Sequence, residues 1–536
     1  MLSRAARLLL ALTCAASLSA CSKDEPDAPE PQPDPPSGPY EGPWTPLEER
    51  GEWEDPGALA ECSAVGAINA CGTPSDFDLS RCDGASLAGV ERQGAIYRAE
   101  IRYALPNGGG GLDYVPGTGG FRFDASGQPV SVMGHAASGS LVNGERLTVS
   151  GSLTRGNTQD RFTFAGCRAT GPNSFVGCMA TCRNGNLRYR ATFRAERMMW
   201  RPGEPESSGL QRVSEFHVGR GVPVDVYVTR GHAYVVSVNG PGRSGGLTVI
   251  DVSDPRAPVQ RASLELPNDT YWNGVWAKDH GLYIASDTAG VLVYDLTDPA
   301  NPSLVRREKA GVAGVVNVHT VFVEGDRLYA MSPSLRSTLI YDVSNPLDPR
   351  LVTRYGYPSN MGYPHDAFAY GGRLYVNHTT DGFLVVDPGT ETPTLLGKYT
   401  YKHSYSHATA VGTFNGRTIA FEGGETLGAH LRVLDVTNPT GIAKVGEYKL
   451  RSINSIHNMV LVGTRLYVAY YHEGVRVLDV SDPTRPTEVA HYNTFRESDP
   501  GRGDGMFEGA IGIRVPGDGH VYVVDTARGL LIFDEP

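Results

Sequence analysis

From residue 210 onward the chain repeats a short apolar run that ends on an acid. The runs are LTVID from Leu247, VLVYD from Val291, TLIYD from Thr338, FLVVD from Phe383, LRVLD from Leu431, VRVLD from Val475 and LLIFD from Leu530. Most continue into a turn such as Val252-Ser253-Asp254-Pro255. The aligned acids Asp251, Asp295, Asp342, Asp387, Asp435, Asp479 and Asp534 lie 44, 47, 45, 48, 44 and 55 residues apart. Each unit holds four strand-like runs. In the third they are Val318 to Val323, Arg327 to Met331, Thr338 to Val343 and Arg350 to Tyr355, which we label a to d. A period of this length with four strands per unit predicts the blades of a β-propeller.

The last unit reaches Asp534 without a strand d, and a matching run, Leu210 to Phe216, stands ahead of the first unit. Six complete units and one shared by both ends predict seven blades over 210–536, closed by the N-terminal strand. Upstream, alternating stretches such as Tyr97 to Tyr103 and Arg188 to Phe193 predict strands with one buried face, separated by Gly-rich turns. The fold class expected is therefore all-β. A small disulfide-bonded antiparallel β domain over 53–200 precedes the propeller, and a Pro/Gly/Ser linker over 201–209 joins them.

The repeated D-[VL]-[ST]-[DN]-P turn after strand c resembles LVIVD-repeat β-propeller lipoproteins, bacterial and archaeal surface or exported proteins. The resemblance covers 210–536. It weakens at Asp387-Pro388-Gly389 and in the truncated seventh unit. It implies the fold and an extracytoplasmic setting but no common reaction.

Arg4 and Arg7 ahead of the apolar run Leu8 to Ala16 predict a signal peptide over 1–20, too short to span a membrane. Leu18-Ser19-Ala20-Cys21 resembles the bacterial lipobox, which makes Cys21 the lipidated first residue of the mature chain. Ser22 to Pro39 carries seven Pro and five acids and no large apolar residue, so 21–52 is expected to be an extended tether. Ser22 lacks the Asp that retains some lipoproteins at the inner membrane, which favours the outer membrane of a bacterial envelope. Of the 8 Cys, the six beyond Cys21 are Cys62, Cys71, Cys82, Cys167, Cys178 and Cys182. An even number confined to one region of an exported chain predicts three disulfides, with fifteen connectivities open. The net charge of −11 argues against a nucleic-acid partner.

The Asp251, Ser253 and Asp254 turn is expected to be architectural rather than a calcium site. Histidines carry more. Ten residues before the strand-b tyrosines Tyr329, Tyr375 and Tyr467 stand His319, His365 and His457, and His407 takes that place in the fifth unit. Asn273 holds it in the second unit, Val224 in the first and Gly512 in the last. Strand a lines a propeller's channel, so these rings are expected at its mouth, with His378, Glu422, Asp525, Asp287 and His472 near the same end. Such a cluster is a candidate site for a divalent or copper ion or for a ligand. The competing role is structural, a His bonded to a strand-b hydroxyl such as Ser286 or Ser332.

Tyr271, Trp272, Tyr363, Tyr405 and Tyr471 lie near this end, with packing as their expected role. The insertion Glu497 to Gly509 contains Arg502-Gly503-Asp504, an integrin-type tripeptide expected by chance alone. The expected function is a non-catalytic binding or scaffold module, anchored through its lipid, with a protein or small-ligand partner on the propeller face. The alternative is a copper-, zinc- or iron-dependent enzyme at the His cluster. No cofactor is assigned beyond that candidate ion.

Overall fold

The computed structural model describes residues 40–65, 71–389 and 391–536. The signal segment, Cys21 and the run Ser22 to Pro39 lie outside the described residues. Among the described residues no helix is long and apolar enough to cross a membrane.

The Cys-bearing region is a closed barrel. Its eight antiparallel strands run in sequence order from Ile96–Pro106 to Asn186–Arg197, and the last pairs back onto the first. The alternation seen in the sequence sets the two faces. In Asn186–Arg197 the side chains of Ala191, Phe193 and Ala195 are buried, while Arg190, Thr192 and Arg194 lie outside. Eight strands enclose a space just wide enough for side chains to fill. Here Tyr97, Phe121, Phe164, Phe175 and Phe193 fill it.

Disulfides Cys62–Cys178, Cys71–Cys182 and Cys82–Cys167 pin the segment ahead of the barrel to strands Thr158–Gly171 and Ser174–Arg183. Each closes a long loop, which removes freedom from the unfolded chain.

Seven antiparallel sheets follow, six with four strands and one with five. Their apolar runs are continuous because the middle strands are buried on both faces by neighbouring blades. In the second blade Gly281–Ser286 and Gly290–Asp295 are almost wholly buried, whereas the outer strand Ser303–Glu308 alternates with solvent. The turn acids work locally. Asp251 accepts from the Ser253 amide at 3.0 Å, and Asp295, Asp342, Asp435 and Asp479 repeat that bond. Arg212–Phe216 supplies the outer strand of the last blade, with Glu215 opposite Leu531 and Phe216 opposite Leu530. A ring closed in this way exposes no inner edge.

Two expectations are corrected. The linker is partly strand: Ser207–Ser208 pairs with Thr487–Tyr492 as a fifth strand on the sixth blade. Its driving contacts are polar, Arg476 on Glu204 at 2.6 Å and the Asn493 amide on the Glu206 carbonyl, so hydropathy carried no sign of it.

The tether expected through residue 52 ends earlier. Leu47 donates its N–H to the Lys444 carbonyl at 2.7 Å, and buried Arg432 pairs with Glu49 and Glu52 at 2.9 and 2.6 Å.

The insertion Glu497 to Gly509 is a docking loop for the barrel. Arg197 grips Glu497, Arg98 donates to the Asp504 carbonyl at 2.7 Å, and Gly134 donates to the Asp504 carboxylate at 3.0 Å. Arg502 and Asp504 are 1% and 2% exposed, so the tripeptide is not displayed.

Candidate functional site

The channel mouth is built by an irregularity repeated from blade to blade. In strand a of blades 1, 2, 5 and 7 the ladder skips Val224, Asn273, His407 and Ile511. In blades 3, 4 and 6 the matching residues, His319, His365 and His457, sit just ahead of the ladder. Each donates its own N–H to a strand-b carbonyl, at 2.8, 2.8 and 3.0 Å. A bulge re-aims side chains, and here it turns these residues and their successors into the channel. In the last blade the matching residue is Ile511, not Gly512, because the hairpin from Arg514 to Tyr522 is one residue longer than that from Tyr227 to Tyr234.

Asn273, His319, His365, His407 and His457 therefore form a contiguous polar crescent, and Ile511 and Val224 complete the ring. Successive imidazole centroids are 4.1, 4.2 and 4.2 Å apart. Asn273 Nδ2 donates to His319 Nε2 at 3.3 Å, and His319 Nε2 lies 2.8 Å from His365 Nε2. Glu425, missed in the sequence, closes the crescent. Its carboxylate lies 3.9 Å from His365 Nε2, 3.7 Å from His407 Nε2 and 3.5 Å from His457 Nε2. The Tyr471 hydroxyl donates to Glu425, and Tyr471 holds this place with a left-handed backbone, φ 37°.

The cavity below the mouth measures about 930 Å³. Asp225, Thr320 and Asp366, which follow Val224, His319 and His365, form a second tier. A third tier is an aromatic arc of Tyr227, Trp276, Phe322 and Phe368, with ring centroids 5.1, 4.7 and 5.0 Å apart. The Arg514 guanidinium lies 4.5 Å from the Trp276 ring. At the rim stand Tyr271, Tyr363, Tyr405, Tyr471 and Phe507. Tyr363 and Tyr405 join hydroxyls at 2.7 Å. Four of the five rim aromatics named from sequence thus line the cavity rather than pack between blades. Trp272 alone is core, against Tyr294.

Burial sets the protonation. It pushes His319 down to about 4 and His457 down to about 3, and holds His365 and His407 well below the usual imidazole range. Burial lifts the Glu425 carboxyl to about 7 and Asp366 to about 8. Neutral imidazoles keep a lone pair free, the form that binds metals and accepts hydrogen bonds. The Ile511 carbonyl, 2.7 Å from His457 Nδ1, receives that nitrogen's proton and leaves Nε2 bare toward Glu425.

The other candidates lie elsewhere. Glu422 accepts from Tyr401 and Ser406 at 2.9 and 2.7 Å inside the fifth blade. His378 bonds Asp381 at 2.9 Å, and Asp525 pairs with Arg502 at 2.9 Å. Asp287 accepts from Asn317, and His472 is buried against Phe495 beside the barrel. Ser286 donates to Asp269 and Ser332 to the Asn317 carbonyl, so their bonds run elsewhere than to the channel residues of their blades, Asn273 and His319. Cys178 and Cys182 stand in separate disulfides, with Cys62 and Cys71.

No curated protein matches the chain. Among solved structures it is similar to BamB from Moraxella catarrhalis, at 11% identity and a TM-score of 0.39, over 61% of this chain and 98% of that one. The model of the LVIVD repeat matches residues 221–264, 272–308 and 457–494, which are the first, second and sixth blades. These three blades are LVIVD repeats.

Proposed function

We propose that the chain is a lipid-anchored binding module of the bacterial envelope, held at the outer membrane through Cys21, which takes its ligand in the channel mouth and does not transform it. The observation that carries this reading is the tyrosine-rimmed cavity of about 930 Å³, walled by paired strands. Its volume suits a small molecule or the tip of a protein partner, and its imidazoles and carboxylates converge on one mouth. Three disulfides fit an oxidising compartment.

The test is native mass spectrometry of the full chain taken from its own envelope, with the denatured mass as reference. A retained ligand mass is expected, lost in Tyr363→Ala with Phe507→Ala and kept in Val259→Ala on the outer rim. No retained mass, or one indifferent to the mouth variant, overturns the reading. A metal-dependent enzyme at the same cluster is the second reading. Asp366 favours it, since its carboxylate lies within 4.8 Å of ligand atoms of His365 and His407. Conversion of the retained ligand, abolished in Asp366→Asn, would establish it.

A further inference from the structure

We propose that the mouth is a mononuclear site for a divalent transition metal, zinc in class, held by Nε2 of His365, His407 and His457 and one carboxylate oxygen of Glu425. The proposal rests on the mouth being the recognition site and adds what occupies its floor.

Distances decide the geometry. Bonds of roughly 2.0–2.1 Å to nitrogen and oxygen place the corners of a tetrahedron about 3.3 Å apart. Glu425 Oε2 lies 3.7 and 3.9 Å from Nε2 of His407 and His365, and its Oε1 lies 3.5 Å from Nε2 of His457, so a shared ion would turn the carboxylate and draw His365 inward. The ligand atoms of His407, Glu425 and His457 already fall within 4.8 Å of one another. Three nitrogens and one oxygen form the donor set of borderline ions, and a tetrahedral arrangement favours zinc over metals that want square-planar or octahedral shells.

Part of the surrounding shell is also present, at His457 and Glu425. His457 is oriented by its Nδ1 bond to the Ile511 carbonyl, the outer-shell contact that fixes a ligating imidazole. Tyr471 steadies Glu425 through its hydroxyl. His319 stands outside the set as a positioning residue, bonded on one side by Asn273 and on the other touching His365. One carboxylate and three neutral rings leave a bound dication with one net positive charge. Asp366, in the tier beneath, lies where it offsets that charge or an entering anion replaces it.

The full chain, prepared without a polyhistidine tag, is stripped with chelator and titrated with Zn²⁺ alone, then with Co²⁺ for its visible spectrum. One equivalent per chain and the intense bands of four-coordinate cobalt are expected. His407→Ala and Glu425→Gln should each abolish the equivalent, His407→Gln guards against a folding defect, and Asn273→Ala should weaken binding by roughly 10–100-fold without changing stoichiometry. Less than one equivalent in the unaltered chain, a six-coordinate cobalt spectrum, or full binding by folded His407→Gln overturns the proposal. A chain that retains its mouth ligand by mass but takes up no zinc refutes the metal alone and leaves the binding role standing.

Discussion

His457 and Ile511 occupy matching positions in adjacent blades, and the imidazole Nδ1 of the first lies 2.7 Å from the carbonyl oxygen of the second. The bond spans a blade boundary at the channel wall, where water has little access. His457→Ala removes the donor and leaves a poorly hydrated carbonyl unpaired, at a cost of ~1–3 kcal/mol. Urea unfolding of the two proteins measures it, and identical midpoints would remove the bond from any structural role.

The buried pairing of Arg432 with Glu49 predicts an acid-sensitive strap. Burial alone would raise the Glu49 carboxyl, but hydrogen bonds and charge from Arg432 bring it from an ordinary 4.5 down to about 2. The folded carboxyl binds its proton more weakly than the unfolded one. Its contribution is therefore complete above the unfolded value and fades as pH falls toward the folded value. Between pH 5 and pH 2 the unaltered chain should lose stability more steeply than Glu49→Gln, which lacks this proton. Equal acid slopes in denaturant titrations would contradict the strap's role. At neutral pH Glu49→Gln should be the less stable, because it leaves Arg432 incompletely paired.

How much of this was legible in the sequence follows from which forces each element uses. Runs such as Leu247 to Asp251 announce themselves because strand c is buried on both faces, so nothing polar interrupts them before the turn. Counting back from the strand-b tyrosine reaches the bulged channel position wherever the a–b hairpin keeps its length, and the count slips by one at Ile511, where it does not. Asp366 escaped because simple alternation sends it away from His365, and a bulge at strand a breaks that alternation. Glu425 escaped because strand b of the fifth blade runs on to Gly424, which leaves Glu422 within the sheet and swings Glu425 over the mouth. The strap at Glu49 and the strand at Ser207 hold by charges and backbone bonds, which have no hydrophobic period to detect.

The docking loop predicts a protease-sensitive joint. Arg98 is 2% exposed and donates to the Asp504 carbonyl, while Arg502, two residues earlier, is buried against Asp525. Arg98→Ala removes that bond at a cost of ~1–3 kcal/mol, enough to raise the opened population of the loop about tenfold. An arginine-specific protease should then cut after Arg502 about ten times faster, as proteolysis follows the open fraction when closing is rapid. Arg183→Ala, which breaks an exposed pair with Asp160 on the barrel, should leave the rate unchanged. Equal rates for all three proteins would mean the loop is held by other contacts.

Ring closure yields the most demanding prediction, because seven blades share it. The outer strand Arg212–Phe216 is far in sequence from its partner Gly529–Asp534, and Arg528 reinforces the join with a 2.9 Å bond to Glu215. Val213 and Phe216 pack against the core beneath the first and last blades. Replacing residues 212–216 with glycine and serine keeps the length but removes both apolar anchors, the Glu215 carboxylate and the strand preference. Glycine alone costs roughly 0.5–1 kcal/mol per strand residue, so the change should remove several kcal/mol. With the last blade unlatched, the propeller should unfold in more than one step, the last and first blades opening at lower denaturant than the middle ones. Hydrogen exchange would show it as selective loss of protection in Val521, Val523 and Leu531, buried in the last blade, while Leu384 and Val433 in the fourth and fifth keep theirs. A single cooperative transition at an unchanged midpoint would show that the ring does not depend on its borrowed strand.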